Sequence, residues 1–183
     1  LYGSCSGISF IDSTALDVCD NHRIHQHKVF LGLAERGKGS MGWFYGLKLH
    51  LVINDRGEIL DCQITPGNGD DRKPVPALCK RLFGKLIADR GHISQALFEQ
   101  LLDTFNLQLI THIKKNMKNR LMPLIDKLLL RKRAIIEGVV DQLKNISQIE
   151  LSRHRSVKNF IVNVLAGLIA YSHRKKKPSL NIE

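Results

Sequence analysis

The sequence predicts an α/β fold, in which a mixed sheet is flanked by helices and followed by a helical C-terminal part. Three observations favour it: the first half is rich in short β-prone runs, helical patterns separate the later strands, and helical patterns dominate after residue 111. A chain of 183 residues is long enough for one domain with a substantial core. Hydrophobic residues make up 43% and charged residues 25%, which excludes a disordered or fibrous protein.

The first half contains three strand signals. Gly7–Ile11 is short, apolar and β-prone, and it places Asp12 at its end. Trp43–Ile53 alternates between apolar and polar positions. Glu58–Thr65 follows the turn signal Asn54–Gly57, so these two runs predict an antiparallel hairpin.

The middle of the chain predicts alternating helices and strands. The first helix turns four apolar residues inward: Val75, Leu78, Cys79 and Leu82. Lys85–Ala88 is a short buried strand that ends at Asp89. Ser94 can cap a helix that runs through Leu102, and Leu107–Ile110 is a further strand.

The last third predicts two helices, at about Lys132–Gln148 and Val157–Tyr171. At about 100° per residue, the first has one apolar face, made of Ile135, Ile136, Val139, Val140, Leu143 and Ile146. Its opposite face has mixed charge and is made of Arg133, Glu137, Asp141 and Lys144. The ordinary interpretation of such a face is a solvated row of i,i+4 ion pairs. We expect residues 1–171 to form the domain and residues 172–183 to be a basic, disordered tail.

The charge balance predicts an anionic partner. Lysine and arginine number 28 against 17 acidic residues, which gives a net charge of +11. Such an excess favours nucleic acid, with membrane surfaces as the alternative. One stretch of the chain is almost uniformly basic and is expected to neutralise DNA phosphates: Lys114, Lys115, Lys118, Arg120, Lys127, Arg131, Lys132 and Arg133.

The cysteines and the hydropathy indicate a cytoplasmic protein without a membrane anchor. The four cysteines contain no CxxC pair, which favours reduced thiols: Cys5, Cys19, Cys62 and Cys79. The longest apolar stretches are too short to span a bilayer. Because the chain begins with Leu1, we expect it to be a fragment of a longer protein or the product of a truncated gene.

Three acidic residues occupy positions where a carboxylate is locally unfavourable. Asp12 and Asp89 each end an apolar strand, and Glu137 lies on a helix after a basic segment. Burying lone carboxylates is costly unless a cation pairs with them. Converging carboxylates suit Mg²⁺, and two ions can promote phosphodiester chemistry. Asp141 and Glu150 are the rival candidates for the third ligand.

Several weaker signals allow two interpretations each. Lys48 and His50 share a strand face, either beside the active site or as ordinary sheet-surface groups. His92 lies at the rim of the site or, the interpretation we favour, in a solvated loop, and Trp43 is expected to be core rather than a base-stacking surface. An irregularly spaced polar cluster could hold zinc but favours a polar loop near DNA: Asp17, Cys19, His22, His25 and His27.

Four motifs together resemble bacterial insertion-sequence transposases of the DDE type. Three are the runs Phe10–Thr14, Gly42–His50 and Ile87–Gly91. The fourth combines Arg133, Glu137 and Lys144, with spacings similar to the family's Y-R-E-K signature. The residues from Ile149 to Ser156 also look like the family's continuation, and the resemblance covers about residues 9–171. The signature's tyrosine is replaced by Leu130. We expect the chain to lack the family's N-terminal region, which helps to bind the element's ends.

The resemblance implies a ribonuclease H-like fold with Asp12, Asp89 and Glu137 as catalytic metal ligands. It implies Mg²⁺ or Mn²⁺, as two ions, and contacts of Arg133 and Lys144 with DNA phosphate near the cut. The expected activity is cleavage of DNA at the ends of an insertion sequence and strand transfer into target DNA. A homodimer on paired ends, associated with the bacterial nucleoid and without a small-molecule substrate, is also expected. The alternatives are a truncated, inactive DNA-binding remnant and a plain ribonuclease H-like nuclease.

Overall fold

A six-stranded mixed sheet organises the computed structural model, which describes residues 2–39, 42–112, 121–150 and 155–180. The strands are β1 (Ile8–Cys19), β2 (Glu35–Gly39), β3 (Gly42–Asn54), β4 (Ile59–Pro66), β5 (Gly84–Ala88) and β6 (Leu107–Thr111). Their order is β2-β3-β1-β5-β6, and β4 also pairs with β3.

The central strand β1 has a different kind of neighbour on each edge. On one edge β3 runs antiparallel to it, from the pair Ser9–Asn54 to the pair Cys19–Tyr45. On the other edge β5 runs parallel to it over the short stretch Ile8–Phe10. Since β1 occupies one edge of β3, β2 and β4 follow each other along the opposite edge. Beyond Phe10, β1 therefore continues past the end of its pairing with β5.

The helices are α1 (Val75–Leu78), α2 (Gln95–Phe105), α3 (Leu124–Arg131), α4 (Ala134–Asp141) and α5 (Val157–Ser172). Short 3₁₀ turns cover Asn21–Gln26 and Arg90–His92, and a π-helical turn, Gln142–Ile146, directly follows α4. The Ser94 hydroxyl caps α2 by accepting a hydrogen bond from the Leu97 N–H, as its sequence position predicts. In the described residues no helix is long and apolar enough to cross a membrane.

The sheet separates two hydrophobic clusters. One packs α3, α4 and α5 against β1 and β3 through residues such as Phe10, Leu49, Leu129, Ile136 and Phe160. The other packs α1 and α2 against the opposite face through residues such as Ile11, Val52, Val75, Leu86 and Leu101. Helices on both faces of a mixed sheet confirm the predicted α/β class and are compatible with a ribonuclease H-like fold.

Several elements differ from their predicted bounds. Asp12 lies inside β1 rather than at its end, because β3 keeps pairing with β1 as far as Cys19. The sequence did not predict β2 or α3. Ile146, expected on the apolar face of α4, is exposed because the π-helical turn changes the angular spacing of side chains beyond Asp141.

Part of the predicted tail follows a defined path beyond α5. Leu180 is buried in the larger hydrophobic cluster, and its N–H donates to the Asp55 carbonyl at 2.8 Å. The backbone at Pro178 also lies against Gly57, whose positive φ of 69° suits the glycine of a tight turn. Pro178 and Leu180 thus contact the turn between β3 and β4. The domain boundary at residue 171 stays a prediction.

Candidate active site

An open cleft of about 850 Å³ runs along β1, between the hairpin of β2 and β3 on one side and α4 on the other. All three predicted carboxylates line this cleft: Asp12, Asp89 and Glu137. Consecutive residues of β1, from Asp12 to Ala15, also line it, as expected for a strand that has passed the end of its partner β5.

The pairing of β1 with β5 explains why two of the carboxylates are neighbours. Phe10 pairs with Ile87 in this parallel ladder. Asp12 and Asp89 each follow that pair by two residues, so they extend from the same level of adjacent strands. Adjacent strands lie about 4.8 Å apart. The two aspartates are close enough to interact electrostatically, since the charge of Asp89 raises the pKa of Asp12.

Asp12 is a largely buried carboxylate that already has a cation beside it. Its Oδ2 lies 3.2 Å from Nη1 of Arg133, and its Oδ1 accepts a hydrogen bond of 2.9 Å from the Ser13 N–H. Burial raises the pKa of Asp12 above its ordinary value, and the Arg133 guanidinium opposes that rise. A nearby cation therefore favours the ionised form of this carboxylate.

Asp89 is held by the turn that follows β5. Its Oδ1 accepts hydrogen bonds from the Gly91 N–H at 3.0 Å and from Nδ1–H of His92 at 2.5 Å. The hydrogen bond from His92 is the main reason that the pKa of Asp89 lies below its ordinary value. The favoured interpretation of His92 as a solvated loop residue is wrong, because its side chain is buried against Asp89.

Glu137 projects from the first turn of α4, and its side chain is 62% exposed. Its Oε1 lies 3.5 Å from Nη2 of Arg133, the same guanidinium that contacts Asp12 through Nη1. Arg133 thus bridges Asp12 and Glu137 across the cleft.

The donor chemistry of this site suits a hard divalent cation. Three carboxylates share one cleft, and one of them is largely buried, so positive charge is needed there. In this arrangement Arg133 supplies that charge to Asp12 and Glu137. Among the described residues, no three acidic, histidine or cysteine side chains are grouped as closely as a metal ion requires, and this includes the cluster around Cys19 considered for zinc. The residues fit a divalent ion by chemistry, and Arg133 contacts two of the three carboxylates in this structure.

The rival acids line the same cleft farther along. Lys144 Nζ contacts Glu150 Oε2 at 2.9 Å, and Glu150 Oε1 accepts a hydrogen bond of 3.3 Å from the Asp17 N–H. Asp141 accepts a hydrogen bond from the Asn145 side chain. Lys144, predicted to contact DNA, therefore pairs with Glu150 in this structure. The other predicted DNA contacts, Lys114, Lys115, Lys118 and Arg120, lie outside the described residues.

A second polar cluster forms at the cleft around Asp71, which the sequence analysis missed. Asp71 Oδ1 contacts Nζ of Lys48 at 3.0 Å and accepts a hydrogen bond of 2.9 Å from Oγ of Ser13. His50 is fully buried and shares a 2.8 Å hydrogen bond with Oγ1 of Thr65. Burial lowers the pKa of His50 to about 4, so it is neutral at pH 7. Asp71 follows the Gly-rich loop after β4, but its sequence context alone does not distinguish it from an ordinary loop acid.

Trp43 is not a core residue, contrary to the sequence-based expectation. Its side chain is 55% exposed and lines the cleft, because it lies on the outer hairpin of β2 and β3. The Arg36 guanidinium lies 5.1 Å and the Lys38 ammonium 5.9 Å from the ring centroid. Both cations are on β2, which the sequence did not predict.

A protein-family model described as a transposase DDE domain matches residues 2–157. The comparison with curated proteins found no match. The family match spans β1 to β6, the helices up to α4 and therefore every residue of the cleft discussed above.

Proposed function

Because the chain belongs to the transposase DDE domain family, we propose that it cuts DNA at the ends of an insertion sequence and joins the freed ends to target DNA. The observation that carries this proposal is the shared cleft of Asp12, Asp89 and Glu137. Cleavage hydrolyses a phosphodiester and frees a 3′-hydroxyl. In strand transfer, that hydroxyl oxygen forms a new bond to a target phosphorus while the target strand's own 3′-oxygen leaves.

We assign Asp12, Asp89 and Glu137 as the ligands of two Mg²⁺ or Mn²⁺ ions. Carboxylate oxygens are the donors that these hard cations prefer. Two bound divalent ions supply activation of the attacking oxygen and stabilisation of the leaving oxygen. The largely buried Asp12 supports this assignment, because burial raises its pKa and a neighbouring cation would favour its ionised form.

The chain's own residues hold and orient these ligands. Asp89 is fixed by Gly91 and His92, so its carboxylate keeps one direction before substrate arrives. Arg133 contacts Asp12 and Glu137. Once bound cations neutralise these two carboxylates, Arg133 would contact a DNA phosphate in their place. Lys144 and the basic residues at 114–120 would neutralise further phosphates along the DNA.

Substitution of the ligands tests this function. Asp12→Asn, Asp89→Asn and Glu137→Gln keep the side-chain size and remove the charge, so each should lower Mn²⁺-dependent cleavage by at least about 100-fold. The matched control is Asp103→Asn on the exposed side of α2, which should cleave like the wild type. The assay measures cleavage and joining with DNA that carries the element's own ends.

The same assay separates the alternative functions. Cleavage without joined products would indicate a plain nuclease of this fold. DNA binding without any Asp12-dependent cleavage would indicate an inactive remnant. A second copy of the chain bound to paired DNA ends is part of the proposal, and light scattering with and without DNA measures it.

A further inference from the structure

Trp43 is an aromatic side chain in an unusual place. Tryptophan is highly buried on average, yet this one is 55% exposed and lines the same cleft as the proposed catalytic carboxylates. Its backbone is fixed, because β3 pairs with β2 through Lys38–Trp43 and Arg36–Tyr45. The sheet therefore fixes the backbone from which the exposed ring projects.

Two cations accompany this ring. Arg36 and Lys38 lie two residues apart on β2, so both side chains project from the same face of that strand as Trp43 does from β3. Their charged groups lie 5.1 and 5.9 Å from the ring centroid, within the range of cation–π attraction. The two residues that flank Lys38 are glycines. At Gly37 the strand passes so close to Gly67 that the Cβ of a side chain there would collide with the Gly67 carbonyl. A flat aromatic surface and two positive charges thus form one patch.

An exposed aromatic ring beside cations in a groove is the arrangement that binds unpaired nucleotides. The ring stacks on a base of any sequence, and the cations contact the phosphates on either side. A simple cross-strand pair between Trp43 and Lys38 would explain their contact, but it would not explain why the pair lines the cleft.

We propose that Trp43, Arg36 and Lys38 form a nucleobase-stacking site for a single-stranded segment of the DNA substrate. This inference rests on the proposed function, because it takes the substrate of the cleft to be DNA. Asp12 pairs with Leu51 on β3, which is eight residues beyond Trp43. At about 3.4 Å per residue, the proposed stacking site lies about 27 Å along β3 from the residue that pairs with Asp12. That length corresponds to about eight nucleotides of stacked DNA, so the unpaired base would lie about that far from the cut.

Tryptophan fluorescence, excited at wavelengths that tyrosine does not absorb, reports on this site alone, because Trp43 is the only tryptophan in the chain. The probes are a short oligothymidylate and an abasic oligonucleotide of the same length, added to the full chain without divalent metal. Oligothymidylate should quench the fluorescence and bind more tightly than the abasic strand, although both have the same phosphate charge. Equal quenching and equal affinity for the two strands would overturn the stacking site, as would no binding of either.

Substitutions give the second measurement. Trp43→Ala should lower the affinity for oligothymidylate, measured by the fluorescence anisotropy of a dye-labelled strand, by about 5- to 150-fold, the range expected for loss of one base–aromatic stack. Trp43→Phe keeps an aromatic face and should lose less. The control is Phe83→Ala, since Phe83 is 54% exposed but does not line the cleft, and it should bind like the wild type. An unchanged affinity in Trp43→Ala would contradict the inference.

The two proposals can fail independently. If the quenching does not depend on bases while Asp12-dependent cleavage persists, only the stacking site is wrong. If base-dependent quenching is found but the wild type does not cleave DNA, the catalytic proposal is wrong and the stacking site remains.

Discussion

At the scale of single residues, Arg133 favours the ionised form of Asp12 in the proposed metal site. It contacts Asp12 and Glu137 at once, and its guanidinium opposes the rise in the pKa of Asp12 that burial causes. Replacing it by glutamine removes that opposition, so the pKa of Asp12 should rise further. Nuclear magnetic resonance titration of the labelled Asp12 carboxyl measures the change.

The raised pKa of Asp12 determines how the stability of the protein and its metal binding depend on pH. Because the pKa of Asp12 is raised in the folded protein, folding favours its protonated form, and this group adds stability as the pH falls below its folded-state pKa. A protonated carboxyl is a poor metal ligand. Metal binding in Arg133→Gln should therefore be lost at higher pH than in the wild type. Lys144→Gln is the control, since Lys144 pairs with Glu150 and not with Asp12; an equal shift there would contradict the role of Arg133.

Residue-level errors of the sequence analysis have a common cause. Trp43 was expected in the core because it begins an apolar alternating run, but that run starts on an outer hairpin. His92 was expected in solvent because it follows a strand end, but the 3₁₀ turn folds it back onto Asp89. Both outcomes depend on which element covers the residue, and a single sequence does not contain that information directly.

At the scale of elements, α3 is attached to the sheet through a buried ion pair. Asp126 is 2% exposed and pairs with Lys85 of β5. Asp126→Ala would leave the Lys85 ammonium without its partner. Because the Lys85 side chain is partly exposed to water, we expect a loss of about 2–4 kcal/mol in the free energy of unfolding, somewhat below the loss for a fully buried pair.

Urea denaturation measures that loss. Asp103→Ala on the exposed side of α2 is the control and should change the free energy of unfolding by less than about 0.5 kcal/mol. A change of the same small size in Asp126→Ala would show that the pair does not hold α3.

The elements that the sequence predicts well are those with strong local signals. The hairpin of β3 and β4 has alternation and an Asn54–Gly57 turn, and α2 has a serine cap. By contrast, β2 consists of Glu35–Gly39, which has no apolar alternation and becomes a strand only by pairing with β3. Helix α3 lies in a basic stretch, and its apolar residues were therefore not recognised as a helix face. Both β2 and α3 therefore depend on contacts with other elements rather than on a local sequence signal.

At the scale of the whole molecule, the net charge of +11 predicts salt-sensitive DNA binding. If Arg133, Lys144 and the four basic residues at 114–120 each neutralise one phosphate, the logarithm of the binding constant should fall with the logarithm of salt concentration with a slope of about −5. Changing Lys114 and Lys115 to glutamine should make the slope shallower by about 2 units. Lys80→Gln lies outside the cleft and should leave it unchanged. Fluorescence anisotropy over a salt series measures these slopes, and equal slopes in all three proteins would exclude the basic stretch from the interface.

The candidate site is also a property of the whole molecule. Asp12, Asp89 and Glu137 are 125 residues apart from first to last in the sequence, and they meet in one cleft because β1, β5 and α4 pack together. The ends of the apolar strands and the resemblance of the motifs predicted these residues. The ion pairs of Arg133 with Asp12 and Glu137, by contrast, are seen only in the three-dimensional structure.

The central claim is that these three carboxylates hold divalent metal, and anomalous diffraction from crystals grown with Mn²⁺ tests it most directly. The account predicts two peaks about 4 Å apart, each about 2.2 Å from carboxylate oxygens of Asp12, Asp89 or Glu137, with Arg133 displaced from Asp12. Peaks held by Asp141 or Glu150 in place of Glu137 would contradict the assignment of the third ligand. Absence of any peak at Asp12 and Asp89 at saturating Mn²⁺ would contradict the claim itself.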